Sequence, residues 1–493
     1  MSAQLDVTPW TTATTLLALL RERRLGAVEL LDMQLARIEQ HNPVLNAVVA
    51  LDAGVARREA QAADNAAPGS LGLLQGLSMT LKDSWEAVGM PTTCGLPDLA
   101  QHYPARDADA VTRLRAAGAI VFGKTNLPVL AGDHQSYNPV YGTTLNPWDI
   151  TRTPGGSSGG AAAAVAAGFT SLEMGSDIGG SIRCPAHFCG IYGHKASFGI
   201  VPMRGHIPPM PGSAVSPPLG VAGPMARSAA DLELALDIIA APPEAMRSVS
   251  SLRLPPSRHE TLRGFRVALW ADQKAYSVDS RCVAAMQDYA ADLRRLGVQV
   301  DESARPEIDT QHSDDLYVAL LFRALSADMP EALLAMTERA ARAADAGPHS
   351  YPTRIARAVR LGFADYIDLL EQQQRLCEVW QRFFKQYDLI LCPIMPTVAF
   401  THDHSGTAPG HIAQYARTTL VDGRPVPYMN GLQWPGLATV ANLPATAVPT
   451  GRRIDGLPMG LQIIGPYLED RSPLRFAQLV ERELGGFVAP PLS

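Results

Sequence analysis

The chain of 493 residues has little of what marks several large protein classes. Cysteine is scarce: Cys94, Cys184, Cys189, Cys282, Cys377 and Cys392 are too few and too scattered for a disulfide framework, and reduced thiols in the cytosol fit best. Charge of one sign is lacking as well. Forty-two Lys and Arg against 48 Asp and Glu give a net charge of −6 with no basic stripe, so no nucleic acid is expected as a direct partner. Long hydrophobic runs are missing. The longest small and apolar stretch, Gly159 to Thr170, is mostly Ala and Gly and falls short of the about 20 residues that cross a bilayer, so no membrane helix is expected. The opening MSAQLDVTPW has neither a basic nor an apolar signal region, which makes cytoplasmic the expected location.

Aromatics at 6% and charged residues at 18%, beside 46% hydrophobic residues, exclude disordered, collagenous and coiled-coil chains. What remains is a globular protein. Its length gives a prior of about three domains at roughly 150 residues each, although one large α/β domain also reaches this size.

Along the chain, apolar residues at helical spacing predict a hairpin of helices over Thr11 to Gln40, interrupted at Gly26. Ala56 to Ala66 reads as a helix closed by a turn at Pro68, Gly69 and Ser70, and Leu77 to Leu81 as a strand ending at Lys82. Helix then strand recurs at Asp109 to Ala117 and Ala119 to Phe122, at Ala161 to Ala167 and Leu172 to Met174, and at Asp279 to Leu296 and Val298 to Val300. Such alternation argues for an α/β fold. Ala229 to Ala240 and Phe363 to Phe384 read as helices, Leu316 to Ala344 as a helix broken at Pro330, and Arg266 to Trp270 and Leu389 to Cys392 as strands. The Pro-rich Ala241 to Pro256 is the best internal boundary, and Pro425 to Gly465 should be irregular loops between short buried strands.

Three local patterns compete for the chemistry. Gly118-Ala-Ile-Val-Phe-Gly123-Lys124-Thr125 fits the P-loop expression, but its bulky apolar interior and Pro128 suit a buried strand and turn instead. Gly155-Gly156-Ser157-Ser158-Gly159 fits a nucleophile elbow, with Ser157 attacking and His187, His194, His206 or His411 as base. The plainer reading makes Ser157 or Ser158 the N-cap of the Ala-rich helix. Cys184, His187, Cys189 and His194 lack the paired spacing of a zinc site, so no metal is expected.

The combination of motifs goes further. GLSMTLKDSWEAVGMPTTCG, NPWDITRTPGGSSGGAAAAVAAG and EMGSDIGGSIRCPAHFCGIYGHKASFGIV are followed by GPMARSAADLELAL, LATVANLPATAVP and GLPMGLQIIG. In these motifs, and in the separations between Lys82, Ser157 and Ser181, the chain resembles the amidase signature family over nearly its whole length. The resemblance implies a single domain over 1–493: an α/β/α sandwich with a central, mostly mixed, twisted β-sheet covered by helices. Within it, 75–240 would form the signature catalytic core, 257–400 a more variable helical, substrate-side region, and 425–480 the return to the core.

By the same resemblance, Ser181 is the nucleophile, Ser157 a serine after a cis peptide that relays the proton, and Lys82 the base, which works only when burial keeps it neutral. The amides of Ile178, Gly179, Gly180 and Ser181 are the implied oxyanion hole. Ser158 would assist by hydrogen bonding, while Asp177 and Arg183 brace the loop. Esters, anilides and carbamates would enter the same acyl-enzyme cycle as amides, with no cofactor. Departures from the common pattern follow Asn126, where Leu-Pro-Val-Leu and Asp133 to Asn138 should line the acyl pocket. Tyr137, Gln433 and Trp434 are candidate substrate contacts, and Arg204 to Gly212 and Tyr428 to Trp434 candidate pocket loops. The partner is then a small amide, with a homodimer as the default assembly. Open alternatives are a glutaminase subunit of a tRNA-dependent amidotransferase, a Ser-His-Asp hydrolase, and a non-catalytic binding protein that retains the fold.

Overall fold

The computed structural model describes residues 7–67, 72–213, 215–246, 248–327, 331–343, 347, 349–405, 414 and 416–492. The first amphipathic run forms α1 (Ala13–Arg21) and α2 (Ala27–Leu45), which part at Gly26. Thr12 caps α1, and the buried Asp231 carboxylate accepts from the amides of Ala13 and Thr14, which places negative charge on the helix N-terminus. Then come β1 (Val48–Leu51), α3 (Ala53–Asn65), β2 (Ser78–Lys82), α4 (Asp109–Ala116) and β3 (Ile120–Thr125). These strands form a sheet of order β1-β3-β2, with β3 parallel to β2. The P-loop-like stretch is therefore strand, and all of β3 is buried.

After a short hairpin of β4 (Tyr137–Asn138) and β5 (Gly142–Thr143), the glycine and serine loop runs into α5 (Gly159–Ala167). The second sheet begins with β6 (Leu172–Asp177), then α6 (Arg183–Cys189), β7 (Tyr192–Lys195), β8 (Val221–Ala226) and α7 (Ala229–Ile239). It continues through β9 (Arg266–Leu269), α8 (Ser280–Arg295) and β10 (Gln299–Asp301). Helices α9 (Thr310–Leu325), α10 (Glu331–Ala343), α11 (Tyr351–Ala358) and α12 (Phe363–Phe383) precede β11 (Leu389–Cys392) and a second hairpin, β12 (Thr418–Val421) with β13 (Arg424–Pro427). The chain ends with α13 (Gln433–Val440), β14 (Ala445–Ile454), β15 (Leu457–Ile464) and α14 (Arg471–Leu484). The resulting eight-stranded mixed sheet has the order β10-β9-β11-β15-β14-β7-β8-β6.

That order corrects two expectations. Pro425 to Gly465 is not a set of loops between short strands, because β14 and β15 form a long hairpin at the middle of the sheet. Its prolines are tolerated for a geometric reason. β14 pairs with β7 only over Ala445–Ala447, and β15 with β11 only over Gln462–Ile464, so Pro449 and Pro458 lie beyond the neighbouring strands. The Pro-rich Ala241 to Pro256 is likewise a connection rather than a boundary between cores: β9, β10 and β11 join the sheet of β6, β7 and β8. One apolar cluster holds Leu236 and Ile239 from one side of it with Phe265 and Val267 from the other. The predicted turn at Pro68 to Ser70 and the break at Pro330 lie outside the described residues.

Helix α5 packs against β2, β6 and β8 with every residue buried, which only Gly, Ala and Val side chains permit. A Cβ on Gly160 would enter the backbone of Asn126 and meet the Ala47 carbonyl at 2.9 Å. Gly160→Ala is expected to lower stability by about 1–3 kcal/mol, seen as a lower denaturant midpoint at unchanged slope. An unchanged midpoint would show that this packing has slack.

Candidate active site

Lys82 ends β2, Ser176 lies one residue from the end of β6, and Ser157 sits in the loop that enters α5. The fold closes these three together. The Lys82 ammonium nitrogen Nζ donates to Ser157 Oγ at 2.7 Å and to Ser176 Oγ at 2.9 Å, with all three side chains buried. Burial lowers the Lys82 pKa to about 7, against the opposing pull of Cys94, Asp177 and Glu173. A second buried lysine, Lys124, differs in having a carboxylate close by, Asp83 at 3.7 Å. Lys82 has two hydroxyls as its partners instead.

The Gly156–Ser157 peptide is cis. A Cβ on Gly156 would meet the Gln135 amide nitrogen at 2.6 Å and its carbonyl at 2.8 Å, so glycine is required by the backbone that crosses it. Ser158 is the N-cap residue of α5, as one of the two expected, but its side chain makes no capping hydrogen bond. The Gly159 amide donates to Ser136 Oγ at 3.1 Å, while Ser158 Oγ donates to the Ser176 carbonyl at 3.4 Å and the Ser158 amide to the Ser181 carbonyl at 3.1 Å. The loop's hydroxyls are thus turned from the helix toward Lys82 and the 176–181 segment.

Asp177 to Ser181 is buried except for the partly exposed Ile178. Asp177 organises the turn: its carboxylate accepts from the Gly180 amide at 2.9 Å, the Ile182 amide at 3.0 Å, and Arg183 Nε and Nη2 at 3.1 and 2.7 Å. Burial opposes this charge, yet Arg183 and these donors hold the Asp177 carboxyl well below the usual range. The Gly180 amide thus already has an acceptor in Asp177, unlike the other amides of the expected oxyanion set. The amides of Ile178, Gly179 and Ser181 have no protein acceptor among the described residues.

The expected substrate contacts fare differently. The Tyr137 hydroxyl donates to Asp133 at 3.1 Å and accepts from Arg417 at 2.9 Å, and its ring stacks on His404 at 3.9 Å. Gln433 donates weakly to the Ala275 carbonyl at 3.4 Å, leaving its buried Oε1 unpartnered. Trp434 is a correction: fully buried, it packs edge-on to Trp270 and Tyr276 as core. Of the loop around Arg204, Arg204 itself pairs with Asp109 and His206 packs edge-on to Trp85.

None of the described histidines offered as a base touches Ser157. His187 contacts the Thr397 carbonyl and the Gly460 amide, His194 contacts Thr446 and Asp470, and His206 the Pro208 carbonyl. His411 lies outside the described residues. Cys184, His187, Cys189 and His194 do not converge; among the described residues no group of three or more His, Cys, Asp or Glu is placed to hold a metal. No described helix is long and apolar enough to cross a membrane.

Residues 29–474 match the family model for amidases. The chain belongs to the amidase signature family. It is 33% identical over 498 residues to the A component of the glutamyl-tRNA(Gln) amidotransferase of Synechococcus sp. (strain CC9605), with 96% of each chain covered. A solved amidase superposes with TM-score 0.76 at 26% identity, over 96% of this chain and 100% of that one. A bacterial aryl acylamidase of the family shares the fold, with TM-score 0.79 at 24% identity over 97% and 96% of the two chains. This amidase-family protein is accordingly a hydrolase of amide carbon–nitrogen bonds.

Several residues around the site carry no sequence signal of their own. Ser176 lies inside a family-like motif, yet nothing in that motif distinguishes it from the serines nearby. Glu173 accepts from Thr80 and Thr125 at 2.7 and 2.6 Å, and burial pushes its carboxyl up to about 8. Tyr317 and Arg417 come from segments to which the sequence assigns no role, whereas His134 and Tyr428 belong to the Asp133 to Asn138 and Tyr428 to Trp434 stretches expected at the pocket.

Proposed function

We propose that this amidase-family hydrolase cleaves a small carboxylic amide by a Ser181–Ser157–Lys82 relay. The observation that carries the reading is the buried contact of Lys82 Nζ with Ser157 Oγ, made without a carboxylate pair. Ser181 Oγ attacks the carbonyl carbon and passes its proton to Ser157, as Ser157 passes its own to neutral Lys82. The amides of Ile178, Gly179 and Ser181 receive the negative charge of the carbonyl oxygen. The proton then returns by the same relay to the departing amine, leaving an acyl-Ser181 ester that water hydrolyses. Esters, anilides and carbamates present the same carbonyl and fit the same cycle.

The test is peptide mapping after a fluorophosphonate serine reagent, on the native protein and on Lys82→Ala. Labelling confined to Ser181 and abolished by Lys82→Ala is expected. Labelling at Ser157 would make that residue the nucleophile and sink the relay.

A second reading is supported by the likeness to the amidotransferase components: glutamine hydrolysis within a larger assembly. The paired charges near the cis turn favour the first. Glutamine needs a free carboxylate and a free cation, whereas Asp133, whose backbone abuts Gly156, is already bound by Arg417 at 2.7 Å and by Tyr428 at 2.5 Å. Neutral aliphatic or aromatic amides are expected to have at least about tenfold higher kcat/KM than glutamine, corresponding to about 1.4 kcal/mol. Faster glutamine turnover, or co-purification of partner proteins, would reverse the preference.

A further inference from the structure

Resting on the Ser181 reading above, the peptide planes from Ile178 to Gly180 fall into two kinds. In the Gly179–Gly180 peptide both ends are occupied: His134 Nε2 donates to the Gly179 carbonyl at 2.8 Å, and the Gly180 amide donates to Asp177. His134 carries its proton on Nε2 because a carbonyl can only accept, and burial keeps the ring neutral. In the Ile178–Gly179 peptide only the carbonyl is occupied. The Tyr317 hydroxyl, from the middle of α9, donates to it at 2.7 Å.

A trans peptide points its carbonyl and its amide in opposite directions. The hydroxyl on the Ile178 carbonyl therefore turns the Gly179 amide away from α9, and it polarises that amide as a donor. We propose that Tyr317 is a positioning residue of the oxyanion hole, holding the Ile178–Gly179 peptide so that the Gly179 amide faces the carbonyl oxygen of the bound amide.

The surroundings leave this peptide few alternatives. A Cβ at 179 would meet Leu432 Cδ2 at 2.9 Å and the Tyr317 hydroxyl at 3.4 Å, so glycine is needed under α9 and the 428–435 segment. Gly436 in turn lies against the Tyr317 ring, where a Cβ would approach Cδ1 to 2.6 Å. The ring is 1% exposed, so the phenol has no surface to offer a substrate directly. Its hydroxyl acts through the peptide it holds.

Tyr317→Phe removes that hydroxyl and keeps the ring. The expected result is a fall in kcat of about 10- to 100-fold with KM within about twofold, below the about 100- to 1,000-fold loss when a donor itself is removed. A boronic acid that forms a tetrahedral adduct with Ser181 should lose affinity by the same factor as kcat. Unchanged kcat, or a raised KM at unchanged kcat, overturns the proposal. Should the variant not accumulate folded, 3-fluorotyrosine at 317 preserves the shape and strengthens the donor; kcat and boronate affinity must then shift together, and no shift overturns it. Ser181→Ala, run in parallel, separates the two ideas: loss of turnover there with wild-type kinetics in Tyr317→Phe would remove Tyr317 and leave Ser181 standing.

Discussion

Lys82→Met should lower kcat by about 10⁴-fold or more and yet leave the protein more stable than the wild type at pH 7. Both effects come from one buried amine. Burial disfavours its charged form and lowers its pKa to about 7, so the amine is half neutral where an ordinary lysine would be almost fully protonated. The proposed relay needs the neutral form, and kcat/KM should accordingly rise with pH through an apparent pKa near 7. The titratable groups that act on or feel the amine are Cys94, Asp177, Glu173 and His206, with Ser157 and Ser176 as hydrogen-bond partners. Glu173, pushed up to about 8, titrates in the same range, so the limb belongs to the coupled cluster rather than to Lys82 alone.

The unfolded chain holds the lysine proton up to about 10.4 and the folded chain only to about 7, so stability from this residue rises between those pH values and its penalty is full below 7. Methionine has a similar length without the charge and relieves a penalty on the order of 3–5 kcal/mol, offset by about 1–2 kcal/mol for the two hydrogen bonds lost. Denaturation midpoints of the two proteins, followed from pH 7 to 10, should converge and then cross, because only the wild type keeps the two hydrogen bonds once the penalty is gone. A Lys82→Met protein less stable than wild type at pH 7 would mean that the amine is charged and well paired.

How much of the fold and the site is legible in the sequence depends on whether the information is local. Lys82, Ser157 and Ser181 stand in contiguous motifs whose spacing resembles a family, and Lys82 and Ser157 do meet across 75 residues of chain. Helices such as α5 and α8 are readable from small-residue runs and periodicity. The β14–β15 hairpin is not, since strands covered on both faces lose the alternation that marks a half-exposed strand, and their prolines mimic loop chemistry. Trp434 and Tyr317 show the other limit. A tryptophan in a Gly- and Pro-rich stretch suggests a pocket wall, but only the packing against Trp270 and Tyr276 makes it core, and only the placement of α9 gives Tyr317 a carbonyl to hold. Gly180 is subtler still. Its motif implies an oxyanion donor, and the Asp177 side chain three residues earlier has already taken its amide.

Asp177 is also where the largest loss of stability should be found. Arg183→Met is expected to destabilise the protein by about 3–5 kcal/mol, because it leaves a carboxylate with no exposed surface without its cation. The guanidinium does more than neutralise. Its Nη1 donates to the Pro435 carbonyl at 2.9 Å and to Gln462 Oε1 at 2.8 Å, and its Nη2 to Thr439 Oγ1 at 3.0 Å, tying the Ser181 loop to α13 and β15. Removing Arg183 takes away the largest influence that lowers the Asp177 carboxyl against its burial, so the carboxyl should move upward and the deficit against wild type should narrow as pH falls from 7 toward 4. Adding Asp177→Asn removes the stranded charge and should restore part of the stability at pH 7. It should not restore kcat, because the loop that carries the Gly179 amide and Ser181 would still lack its tie to α13 and β15. Stability and kcat measured on both variants separate the two roles. If the double variant regains full turnover, the ion pair serves the fold alone, and the geometry of the loop is set by His134 and Tyr317 without it.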